Sequence, residues 1–194
     1  MLYSIALFLH VLGALGMFVG LGIEWTSLRN LPHATTSREA RAWLGLFLVL
    51  RRLFPFSFFA ILISGIYMMA VSWGGDPWIV LGFLGMLALP AIAGIMTARR
   101  VRGIGPELGG SADLDASLRA RLTDPVLLLS HRLRVGLAVG IVFLMTVKPG
   151  WIGSLAAILS FTGLGALAGV AARKGAERKE AEPRRAAAQG SGSA

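Results

Sequence analysis

Side chains able to do chemistry are scarce in this sequence, and the one whose setting says most is His10. It sits in LFLHVLGALG, residues 7–16, where every other residue is apolar or glycine. On a helix its neighbours three and four positions away are Ala6, Gly13 and Ala14, with Met17 and Gly20 further along the same stripe. Small residues of this kind line helix–helix contacts, so the imidazole faces other helices rather than lipid. Three purposes suit a polar group placed there. It is a neutral imidazole hydrogen-bonded to a hydroxyl or carbonyl of the next helix, a ligand to haem or a metal ion, or a proton-handling group. Ser57, Ser64 and Tyr67 are the candidate partners for the first purpose.

A second constellation is SHRLR, residues 130–134, with His131, Arg132 and Arg134. Guanidiniums are costly at mid-membrane, which puts this stretch near an aqueous face. Either it snorkels to lipid phosphates, or it pairs with an anion such as haem propionates or a lipid headgroup. His10 and His131 do not suit one haem. Counting 1.5 Å per residue from opposite faces of an about 30 Å core leaves about 10 Å of depth between them. Glu24 lies about 21 Å along the helix from His10, too far to pair with it. It is expected to meet a loop arginine, or to pass protons along the His10 face. His33, in LPHATTS, reads as a solvated loop residue. Nucleotide-binding glycine loops, nucleophile elbows and HExxH zinc motifs are absent, so an enzymatic role has no motif to rest on. With no cysteine, disulfides, thiolate zinc sites, cysteine-ligated iron–sulfur clusters and covalently attached c-type haem are excluded.

The elements that carry these residues follow from composition. The 194 residues are 55% hydrophobic and 15% charged, where a soluble domain has about 25% charged. Mean hydropathy is +0.70. The apolar residues fall in five blocks near the roughly 20 residues that cross a bilayer. These are Leu2 to Ile23, Leu53 to Trp73, Trp78 to Ala98, Val126 to Val147 and Trp151 to Ala172. The expected fold is an all-α, polytopic transmembrane helix bundle of about five spans over residues 1–174. A disordered cytoplasmic tail is expected over 175–194, where charge and then Gly/Ser dominate. The first block has no Lys or Arg before Arg29, and is expected to be a retained span rather than a signal peptide.

Charge separates the connections. Arg29, Arg38, Arg41, Arg51 and Arg52 lie between spans one and two, and Arg99, Arg100, Arg102, Arg119 and Arg121 between spans three and four. The tail is also basic, whereas WGGDPW has no basic residue and KPGW only Lys148. The positive-inside rule then puts the N-terminus outside and the C-terminus in the cytoplasm. The net charge of +9 is thus topology plus attraction to anionic lipid at the cytoplasmic face, and nucleic acid is not implied. Thr36 and Glu39 fit a helix-capping box. The apolar run Ala42 to Leu50 that follows is too short to span. It either lies along the interface or extends span two as one long helix. Residues 103–115 read as loop, and Ala116–Leu122 as a short helix. The pairs Gly16–Gly20, Gly136–Gly140 and Gly165–Gly169 favour close helix packing. Pro90 is expected to kink span three. Trp73, Trp78 and Trp151 read as interfacial anchors.

The stretch LFLHVLGALGMFVGLGIEW, residues 7–25, resembles the first helix of small bacterial CopD-like integral membrane proteins. That group takes in copper-resistance D-type proteins, HemJ-type protoporphyrinogen oxidases and uncharacterised DUF2269-like proteins. The resemblance implies a multi-pass protein of the bacterial cytoplasmic membrane, with His10 as a haem or metal ligand. The sequence departs from the group in having no second histidine at the depth of His10 and no run of methionine and histidine suited to copper. The uncharacterised branch is the nearest in pattern. The expected function is therefore a membrane protein of undefined activity that holds haem or a metal through His10. His131, Arg132 and Arg134 form a second candidate binding cluster. The alternative is a small transporter or accessory subunit in which His10 is a structural hydrogen bond. The expected partners are the bilayer, anionic lipid, and a second copy or a membrane complex.

Overall fold

A helix satisfies its own backbone polar groups, which an apolar segment in lipid requires, and every described element of this chain is helical. The architecture comes from a computed structural model. It describes residues 1–107 and 116–190, with side chains for 1–102, 104 and 118–171. In chain order the helices are α1 (Leu2–Asn30), α2 (Ser37–Met68), α3 (Pro77–Ile92), α4 (Arg99–Glu107), α5 (Ala116–Leu122), α6 (Pro125–Val147) and α7 (Trp151–Gly190). Wide π turns follow α2 at Met69–Trp73 and α3 at Ala93–Ala98. Among the described residues five helices are long and apolar enough to cross a membrane. Phe56, Ile63, Leu159 and Leu167, on the outside of the bundle, are each more than 60% exposed, as a lipid-facing surface demands.

Local chemistry explains the boundaries. Thr36 Oγ1 accepts from Glu39 N at 3.2 Å, while Glu39 Oε2 accepts from Thr35 N at 2.9 Å, so the capping box closes one residue early. From that cap α2 runs unbroken through residues 42–50 and past Pro55, so the interfacial stretch is the start of span two. Asp124 caps α6 through Val126 N and holds Arg100 at 2.7 Å. Helix α3 continues through Pro90 and relaxes into the π turns that follow, because proline removes one backbone donor. Helix α4 reaches Glu107, so residues 103–107 of the expected loop are helical, and residues 108–115 lie outside the described ones. Most of the tail expected to be disordered, 175–194, has a helical backbone to Gly190. Its side chains lie outside the described residues.

Glycines decide which helices pair. A Cβ on Gly16 would meet the Ser57 hydroxyl, and one on Gly20 would meet the Phe54 ring, so α1 and α2 lie in close contact. On α6 and α7, a Cβ at Gly136 would fall on the Phe161 carbonyl, and one at Gly165 on the Arg132 carbonyl. Helix α3 joins α6 at Gly82 and Gly85, against Met145 and Ile141. The bundle therefore has two parts, α1 with α2, and α3 with α6 and α7. The parts meet sparsely, along α1–α6 and α2–α3.

Met17, Met86, Leu89 and Leu137 fill the middle of the seam between the parts, backed by Phe54 and Phe58. At one end of the seam Lys148 Nζ sits 3.8 Å from the Trp73 ring centroid and 5.5 Å from that of Trp78. At the other, basic end, the turn that follows α1 and the first turn of α2 build a small core with α4 and α5. Leu31, Ala40, Ile104, Leu118 and Leu122 are buried there.

Candidate functional site

Two polar sites lie on the seam. His10 occupies the one nearer the tryptophans. Its Nδ1 is 3.1 Å from the Ile61 carbonyl and 3.2 Å from Ser64 Oγ. A carbonyl only accepts, so Nδ1 carries the proton. Ser64 donates its own hydroxyl to the Ala60 carbonyl at 2.5 Å and is free to accept from the imidazole. Of the three partners foreseen for His10, Ser64 is the one used. Nε2 is left as the lone-pair nitrogen and has no hydrogen bond among the described residues. The ring lines a cavity of about 220 Å³ with Tyr3, Ile61, Trp73, Trp78, Met86 and Lys148.

The second site sits toward the basic end. Glu24, on α1, is 2% exposed. Its Oε1 accepts from Arg134 Nη2 at 2.6 Å and its Oε2 from His131 Nδ1 at 3.2 Å, both from α6. Arg134 Nε donates to the Ser130 carbonyl at 3.3 Å. Its Nη2 also lies 3.5 Å from Thr97 Oγ1, which is 2.9 Å from Ser130 Oγ. Trp25 stacks on His131 with centroids 5.6 Å apart, and Arg132 lies over the same indole while donating to the Ala168 carbonyl. The carboxylate thus bridges α1 to α6, and Thr97 ties in the turn after α3.

The expected partner of Glu24, a loop arginine, is replaced by Arg134 from within span four. The reason is burial. An unpaired carboxylate and an unpaired guanidinium inside one apolar bundle are each costly, and pairing them removes both costs together. Arg134 accordingly points inward at 3% exposed instead of snorkelling outward. The four candidate residues separate into two places. His10 faces one cavity, while His131 and Arg134 hold Glu24 and Arg132 packs on Trp25. Sequence reasoning placed Glu24 but missed its partner, and missed Thr97 and Trp25. The available signal was an acid in span one and a base in span four, both close to the basic end.

Fit to the expected ligands can be tested on these residues. Among those described, no three His, Asp or Glu side chains converge on a metal-sized point, so a bare ion at His10 would have one strong protein ligand. A haem supplies four nitrogens of its own and needs only an axial imidazole. The cavity is below the about 300–1,000 Å³ of sites that enclose small organic ligands, so a porphyrin there would keep one edge against lipid. Among the described residues Lys148 is its one cationic lining residue, and Arg132 and Arg134 are engaged elsewhere. By length and composition the chain is a polytopic helical membrane protein. Comparison with protein-family models, curated proteins and solved structures finds no match.

Proposed function

We propose that this chain is a multi-pass protein of the bacterial cytoplasmic membrane that binds haem through Nε2 of His10. One observation carries the reading. Nδ1–H is committed to Ile61 and Ser64, and such a bond to a carbonyl on the far nitrogen is what orients metal-bound histidines. The lone imidazole favours haem over a free metal ion, because the macrocycle brings the remaining equatorial ligands. When bound, the iron would supply one-electron chemistry, and the protein's share is to fix the tautomer and exclude water with Trp73, Trp78 and Met86. The resemblance of residues 7–25 to CopD-like first helices points the same way. A second reading has its own support. The bonds from His10 to Ile61 and Ser64 cross from α1 to α2, as a purely structural hydrogen bond in an accessory subunit or small transporter would.

The absorption spectrum of the purified protein separates the two. Haem ligation is expected to give a Soret band that is lost in His10→Ala, with iron near one per chain in the parent. A colourless, iron-free parent whose His10→Ala variant loses thermal stability would leave the structural reading alone standing.

The orientation rests on the basic connections. Reporter fusions should read the N-terminus as outside and the C-terminus as cytoplasmic, with anionic lipid attracted to the arginine-rich face. A cytoplasmic N-terminal reporter would reverse the assignment.

A further inference from the structure

Below the apolar plug of Met17, Met86, Leu89 and Leu137, the seam opens again. A second cavity, of about 350 Å³, lies between α1, α2 and α3. Among the described residues its lining is apolar and aromatic, with Phe54, Phe58, Phe59, Leu89 and Ala93, except for one group, the side chain of Arg134. That guanidinium is 3% exposed. Nε is bonded to Ser130, and Nη2 to Glu24 and Thr97. Nη1, with two N–H donors, has no hydrogen bond among the described residues. It is not among the fully enclosed side-chain atoms left without a partner, so it has open space beside it where Arg134 lines the cavity.

We propose that this cavity binds a single-chain fatty carboxylate, its head on Arg134 Nη1 and its chain among the phenylalanines. Four features select that occupant. An N–H of a charged guanidinium makes a charge-assisted hydrogen bond to a carboxylate oxygen. One free arm suits a single carboxylate better than a phosphate dianion, which asks for more donors. The volume is at the low end for organic ligands, room for one chain rather than two. Access is lateral, because α2 and α3 barely touch and Phe59, on the cavity wall, is 55% exposed on the bundle surface.

The test uses the full chain in phosphatidylcholine nanodiscs, titrated with dodecanoate at fixed pH. The expected result is saturable binding of one dodecanoate per chain, with dodecanol at least tenfold weaker. Ala93→Phe, which fills the cavity without touching the polar cluster, should abolish binding while leaving thermal unfolding unchanged. Equal binding of dodecanol, or full binding by a folded Ala93→Phe variant, would overturn the assignment. So would displacement of dodecanoate by phosphatidylglycerol added to the discs, which would give the site to a diacyl lipid. None of these outcomes depends on His10 or on haem.

Discussion

Glu24→Ala is expected to destabilise the bundle by about 3–5 kcal/mol, the usual cost of stranding a buried charge by deleting its partner. The variant leaves Arg134 and His131 side chains, each 4% exposed, without the one carboxylate that both address. Water cannot easily replace it. Glu24, His131 and Arg134 are, as whole residues, each at most 3% exposed, and Trp25 stacks on the His131 ring. The loss should also have a direction. Glu24 is the polar bridge between α1 and α6 where the two parts of the bundle meet sparsely, so α1 with α2 should separate first. Thermal unfolding in nanodiscs gives the magnitude, and disulfide trapping between cysteines introduced on α1 and α6 gives the direction. The double variant Glu24→Leu with Arg134→Leu removes both charges and should regain at least half of the loss, because a buried pair is worth little over well-packed apolar residues. A Glu24→Ala variant within about 1 kcal/mol of the parent would show that the ion pair contributes no more than a surface bridge.

The second large effect comes from one extra carbon. Gly136→Ala places its Cβ on the Phe161 carbonyl, a backbone atom that no rotamer change can move. Helix α7 has to retreat from α6, and overpacking of this kind costs about 1–3 kcal/mol. Gly163→Ala on α7 is the matched control, since a Cβ there meets nothing within 4 Å. It should be neutral or stabilising by up to about 1 kcal/mol, the helix preference of alanine over glycine. The same substitution therefore acts with opposite signs at two glycines of one helix pair. Equal unfolding temperatures for the two variants would mean that α6 and α7 do not touch at Gly136.

Much of the architecture was legible before any coordinates. The five apolar blocks, the cap at Thr36, the short helix at Ala116–Leu122 and the glycine pairs are local signals. Hydrophobic length, capping chemistry and residue size act within a few turns, so a sequence displays them directly. Burial of the His10 stripe was equally readable, because it depends on helical phase, whereas depth alone pointed to Tyr67 among the three hydroxyls and the structure uses Ser64.

What tertiary structure alone decided is who meets whom. Nothing within span one says that Glu24 finds Arg134, 110 residues away in the chain, instead of an arginine from the adjacent loop. That choice depends on which helices the glycines bring together, and so on which side of α6 turns toward α1. Nor does the sequence reveal that α2 and α3, joined by a short turn, scarcely touch, which leaves cavities along the seam. Local sequence sets what each helix can bury. The packing of all of them together sets which charges lose water at the same point, and charges buried together have to pair.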